Sequence, residues 1–315
     1  MTSPSSTVVA SSPSPAGPTA PVGAPPRRAV TLAFWALAVA GTVLCFIFQN
    51  KTGPTYPLQG TLETARGPVS FKFLRSEEIG KELQLMLKAP VPEGVSAQVR
   101  YRRYKSHDDW RTLAMAPGTF KFARRGQAEE VQGLGAALPS LPERAGKYEI
   151  YVDVDDGGGP RSVTGDRPIF ARYKAPVPTP VLLTHIFVIF LSMTLALRTG
   201  LEALRGGTLT LFLKATIASL VLGAFVLGPI VQQYAFGVLW SGFPFGYDWT
   251  DNKVVVELAA WGLAGAVALW SGRPRLGRAL VVLAVAVTLA IYFIPHSIFG
   301  SEYDYTRGAG HGTAG

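Results

Sequence analysis

Four ionisable side chains stand where the surrounding sequence makes charge costly: His185, Asp251, Glu257 and His296. His185, Glu257 and His296 belong to three separate apolar runs and Asp251 to the loop before one of them, and groups of this kind below a membrane surface face a bundle interior, paired or liganded. Imidazole nitrogen and carboxylate oxygen together suit zinc, iron, manganese or Cu(II). A divalent or transition metal held by these four residues would activate a bound water. Met193, about two helical turns from His185, adds a soft donor to that set. The competing reading is packing. Glu257 and the histidines then bond to one another and to backbone groups freed at helix ends, while Asp251 caps the helix that follows it. No CxxC, CxxCH, Walker, Rossmann or HExxH pattern is present to favour a particular chemistry.

Among these residues runs the stretch 231–253, VQQYAFGVLWSGFPFGYDWTDNK. Trp240, Phe243, Phe245, Tyr247 and Trp249 are of the types that form aromatic belts at membrane interfaces, and Pro244 with Gly246 sets a turn among them. One use of such a loop is to wall a binding pocket for a quinone-like molecule or a lipid head group. Trp240, Phe243, Phe245 and Trp249 would then be the cofactor-binding side chains. The other use is to seal a helix bundle and seat whatever lies above it.

The elements that must position these residues are apolar runs at 29–48, 181–197, 209–230, 254–270 and 279–295. Each approaches the roughly 20 residues that cross a hydrocarbon core. The chain is 48% hydrophobic and only 16% charged, against about 25% charge in soluble domains. At about 1.5 Å per residue, His185 lies about 6 Å and Glu257 about 5 Å inside their spans. With His296 at the end of the last span, the three share one shallow layer. Arg27 and Arg28 ahead of 29–48 resemble a signal-peptide layout, but the run is long and lacks a small-x-small cleavage site, so it reads as an uncleaved anchor.

Residues 49–176 form the large soluble part. Alternating segments at 69–73, 83–87, 97–104, 110–115, 119–122, 148–154 and 168–173 are separated by turn signals such as Pro92-Glu93-Gly94 and Asp156-Gly157-Gly158. This spacing predicts an immunoglobulin/fibronectin-like β-sandwich domain between the first and second helices. Trp110 is its expected core tryptophan. The single cysteine, Cys45, lies in the first span, so no disulfide pins the sheets. Arg100, Arg102, Arg103, Lys105, Lys121, Arg124 and Arg125 fall on alternating strands and read as a solvated face, not a nucleic-acid stripe.

Arg198, Arg205, Arg273, Arg275 and Arg278 fall between spans two and three and between four and five, while Asp248, Asp251, Glu302 and Asp304 fall at the opposite ends. The formal net charge of +9 therefore reads as positive-inside bias. Residues 1–28 are expected to be a disordered cytoplasmic tail. The 49–176 domain, the 231–253 loop and the tail 296–315 are expected outside a bacterial inner membrane. The resulting architecture is a polytopic α-helical membrane protein of five transmembrane helices with an extracytoplasmic β-sandwich. The leading functional reading is an accessory or assembly subunit whose partners are other membrane or periplasmic proteins and the lipid bilayer, with no nucleic acid. The alternative is a metal-dependent or redox protein with an outer-surface site of His185, Glu257 and His296. A transporter fits least, since one polar layer supplies no path across.

Overall fold

The structure is a computed structural model, and it describes residues 27–124, 127–294 and 302–310. The expected tail, 1–28, lies almost entirely outside the described residues, as does His296.

Among the described residues, five helical stretches are long and apolar enough to cross a membrane. The first is α1 (Arg27–Thr52). The second is α2 (Thr179–Leu204), which opens on Pro180, a residue whose missing N–H costs nothing in a first turn. The third is compound: α3 (Thr210–Leu220), a π-helical segment (Val221–Leu227) and α4 (Gly228–Phe236). Pro229 lacks the N–H that an α-helix would need there, and the Gly228 N–H bonds five residues back to the Gly223 carbonyl. Gly237, at φ +82°, closes α4 in the left-handed conformation that a side chain would disfavour. The fourth is α5 (Trp249–Trp270), capped by the Asp248 carboxylate, which accepts from the Thr250 N–H at 2.7 Å. The cap is thus three residues before Asp251, the expected one. The last is α6 (Pro274–Phe293).

The helices are tied by hydroxyl and indole groups as well as by packing. Thr42 meets Thr194 at 3.0 Å between α1 and α2, and Thr199 meets Thr216 at 2.9 Å between α2 and α3. The core around them includes Ala196, Leu213, Trp261, Ala264 and Val281.

Between α1 and α2 the chain forms β1 (Leu58–Thr64), β2 (Gly67–Phe73), β3 (Ser76–Glu78), β4 (Leu83–Lys88), β5 (Ser96–Arg103), β6 (Arg111–Ala114), β7 (Ala116–Arg124), β8 (Gln127–Leu138), β9 (Lys147–Asp155), β10 (Arg161–Ser162) and β11 (Ile169–Lys174). They make two sheets. The first runs β1-β2-β4-β8-β7; the second runs β3-β11-β9-β5-β6, with β10 on β9. All pairings are antiparallel except β3 with β11. Both sheets supply alternate residues to one core: Leu83, Leu85 and Leu87 from β4, Tyr148, Ile150, Val152 and Val154 from β9, and Ile169, Ala171 and Tyr173 from β11. Each such burial contributes roughly 1.5–3 kcal/mol, and that packing holds the sheets with no disulfide between them.

Trp110 is not in this core. It is 38% exposed on the outer face of the second sheet, 5.5 Å from the Tyr151 ring, with the Arg102 guanidinium stacked at 4.5 Å. It leads into β6, a four-residue edge strand exposed along its whole length, so it never crosses between the sheets. Tyr148 and Tyr173 take the large buried aromatic positions instead.

Candidate functional site

The domain sits on the bundle through several named contacts. The Ala175 N–H donates to the Ala235 carbonyl at 2.9 Å, joining the end of the domain to α4. Arg144 donates to the Gln233 carbonyl at 3.3 Å, and the buried Arg172 guanidinium lies 5.6 Å from the Phe236 ring centre. The segment 302–310, which follows α6 in the chain, lies against the domain. It carries β12 (Tyr303–Asp304) and β13 (Ala309–Gly310). The Tyr303 N–H donates to Ala145 O at 3.1 Å and the Thr306 N–H to Lys105 O at 3.2 Å. Tyr305 donates to Glu143 at 3.0 Å and lies under the Arg103 guanidinium at 4.5 Å.

Glu302 is the charged centre of this strap. Its carboxylate pairs with Lys147 at 2.6 Å and with Lys105 at 2.5 Å. Burial alone would raise its pKa, but the two ammonium groups outweigh burial and hold it below the usual glutamate range. Lys147 shows the opposite balance. Burial lowers it, the neighbouring Arg172 lowers it further, and Glu302 restores only part, leaving a value of about 8. Nothing in the sequence marks Glu302 as a clasp; its pairs are 155 and 197 positions away.

The aromatic loop is built inside out. The Asp251 carboxylate accepts from the Ser241 N–H at 2.7 Å, from the Ser241 hydroxyl at 3.1 Å and from Gln232 at 3.2 Å. Asn252 accepts from the Phe243 N–H at 2.7 Å. These inward bonds turn the aromatics outward. Phe243, Phe245, Tyr247 and Trp249 are exposed, while Trp240 stacks on Phe225 at 5.8 Å and donates to the Phe243 carbonyl at 3.2 Å.

The expected metal centre is corrected by the structure. Among the described residues, no group of three or more His, Cys, Asp and Glu is placed to hold a metal ion. The reason is direction. His185 Nδ1 lies 3.2 Å from the Gly223 carbonyl, an acceptor, so that nitrogen carries the proton and donates into the π-helical segment. Asp251 turns to the loop. Glu257 turns into the bundle, where its carboxylate accepts from Thr288 at 2.7 Å; that hydroxyl in turn accepts from the Trp261 indole at 2.9 Å. Because α5 starts at Trp249, Glu257 lies about 12 Å along it, and His185 about 9 Å along α2.

At the bundle end away from the domain is a cluster the sequence reading missed. Arg198, 1% exposed, donates to Glu202, 2% exposed, at 2.5 Å, and Arg205 donates to the same carboxylate at 2.7 and 2.9 Å. Phe34, Trp35 and Phe212 surround the Arg198 guanidinium at 5.4, 5.7 and 4.5 Å. Arg278 from α6 closes the end by donating to the carbonyls of Gly206 and Gly207 at 3.0 and 2.8 Å. The charge pattern places Arg198 in a loop; α2 instead runs through it to Leu204.

The outer face of the second sheet offers the remaining surface. Arg100 pairs with Asp153 at 2.5 Å and Arg102 with Glu149 at 2.9 Å, so the basic run is largely neutralised in place. Trp110 and Phe170 are exposed beside them, whereas Leu113, paired with the core residue Val99, is exposed on the other face of the edge strand. Comparison with protein-family models, with curated proteins and with solved structures gives no match.

Proposed function

We propose that this chain is a membrane-anchored accessory or assembly protein that presents an immunoglobulin-type β-sandwich, in a fixed pose, to a protein partner outside the membrane. The observation that carries this reading is the seat: the domain is bonded to α4 and clasped by 302–310, so its orientation is set by the bundle. A domain needed only as a spacer requires no such clasp.

Strand order supports the sandwich type. The sequence β2-β4-β8-β7 follows the A-B-E-D order, and β11-β9-β5 follows G-F-C with β6 in the C′ place. Tyr148, near the start of the F-like strand β9, donates its hydroxyl to the Pro139 carbonyl at 3.1 Å, nine residues upstream. This has the form of the tyrosine corner of that fold. Ile150 stands two residues on, where antibody domains carry the second cysteine. The function does not follow from the fold class; beside the seat it is supported by the exposed Trp110 and Phe170 and the half-buried Tyr151 and Arg102 of the second sheet, types that anchor protein interfaces. The arginines at the far end of the bundle support placing that end in the cytoplasm and the domain outside.

The test is photo-crosslinking in native membranes from positions Thr112 and Phe170 on the outer face of the second sheet and Ser70 on the first. A protein adduct of one discrete size from the first two and none from Ser70 is the expected outcome. Absence of adducts from every position on the domain overturns the reading.

A further inference from the structure

We infer that the loop 238–249 lies in the headgroup layer of the bilayer, so that a lipid surface is the partner of its aromatic face. The inference rests on reading the long apolar helices as membrane-spanning.

The loop inverts the arrangement expected of a chain in water. Leu239, Phe243, Phe245, Tyr247 and Trp249 are between 51% and 73% exposed, whereas Ser241, Asp248 and Asp251 are 7% exposed or less. Polar side chains are gathered inward onto Gln232, Asn252 and the start of α5, and the outward side chains carry no charge. A protein in water buries the first kind and solvates the second. A medium that reverses the preference is amphipathic or apolar. The hydrocarbon core is excluded as that medium, because residues 237–248 are not helical and lipid-exposed irregular backbone is not tolerated there. The headgroup layer accommodates polar backbone and favours tryptophan and tyrosine.

Continuity favours lipid over a protein partner. Tyr234 on α4 and Val255 and Val256 on α5, the helices on either side of the loop, are exposed as well. The aromatic face therefore prolongs the outward sides of two helices and is not an isolated patch on the domain. Because α4 also bonds to Ala175 and Arg144, a loop fixed at headgroup depth sets the height of the domain above the bilayer.

The experiment uses full-length protein in phosphatidylcholine–phosphatidylglycerol vesicles, in a Cys45→Ala background. Nitroxide labels are placed at Phe245→Cys, at Leu113→Cys as the water reference and at Leu263→Cys, an exposed position within α5, as the acyl reference. Collision rates with oxygen and with an aqueous nickel chelate are then compared. The expected result is a several-fold fall in nickel collisions at position 245 relative to 113, with oxygen access between the two references. Nickel access at 245 equal to that at 113 overturns the inference by placing the loop in water. Loss of access to both reagents overturns it by showing a protein cover. Nickel access at 263 equal to that at 113 sinks the membrane-spanning reading itself. If the Cys45→Ala background does not fold, the difference in quenching by brominated lipid between the unaltered chain and Trp249→Phe answers the same question; no difference overturns the inference.

Discussion

Glu202 and Glu257 are both carboxylates buried in an apolar helix bundle, at opposite ends, and they are satisfied by different chemistry. Glu202 takes guanidinium bonds from Arg198 and Arg205. Glu257 takes a hydroxyl bond from Thr288, backed by the Trp261 indole; one turn earlier on α5, Lys253 donates to the Ile294 carbonyl at 2.9 Å. At the far end each charge is tolerated because its opposite is present. At the domain end a hydroxyl and an indole joined through Glu257 tie α5 to α6, with the Lys253 ammonium one turn earlier close enough to interact with the carboxylate. The first arrangement fails when one member is removed; the second should survive a change of charge but not the loss of its relay.

That difference predicts an order of sensitivity. Glu202→Leu leaves Arg198 buried without its carboxylate and should cost about 3–5 kcal/mol, read as a large drop in thermal midpoint and yield in detergent. Adding Arg198→Met should recover much of the loss; no recovery would break the account of the cluster. Thr288→Val removes the hydroxyl that joins Trp261 to Glu257 and should cost roughly 1–3 kcal/mol. Glu257→Gln keeps an acceptor for Thr288 and should cost less than about 1 kcal/mol. If Glu257→Gln proves the more damaging of the two, the carboxylate charge matters and the contrast between the ends disappears.

A small effect is also expected at the strap, where Glu302 is partly exposed and faces Lys147 and Lys105, with Arg172 behind Lys147. Glu302→Gln should cost about 1 kcal/mol. Its pH dependence is more telling than its size. The folded carboxyl is held below the unfolded value, so its contribution is complete above the ordinary glutamate value of about 4.3 and is lost as pH falls through the lowered folded value. Thermal midpoints of wild type and Glu302→Gln should therefore converge in acid and separate toward neutrality. A constant gap across that window would show that the strap is held by Tyr303, Tyr305 and Thr306 rather than by charge.

Much of this architecture was legible because its signals are local. The alternation in 83–87 and 148–154 and the uncharged runs of the helices need no knowledge of distant partners. What was missed is non-local. Strand β8 is disguised by Glu129, Glu130, Gly133 and Gly135; a Cβ at Gly133 would run into the Leu87 carbonyl, so the glycine that weakens the pattern is what lets β4 pair there. The apolar run ends at Leu197 because Arg198 follows, yet Glu202, one turn on, pairs with that charge and lets α2 continue. The metal reading failed for a related reason. Residue types and depths were available, but the directions of His185, Asp251 and Glu257 are set by Gly223, Ser241 and Thr288, none of which is a ligand by type.

The π-helical segment has a consequence for how the third helical stretch is numbered around its axis. One residue is about 100° of rotation in an α-helix. The widened turn over Val221–Leu227 therefore shifts the angular phase of everything after it relative to α3. Gln232 reaches Ser241 at 2.5 Å from the shifted side of that boundary. Winding all seven residues of 221–227 as plain α-helix would swing Gln232, with the root of the loop, about 100° away, whereas deleting one of the seven would return it to its present direction. The attachment of the loop thus depends on the widened turn ahead of Pro229, and a helical wheel drawn through 210–236 at one period places its second half on the wrong face.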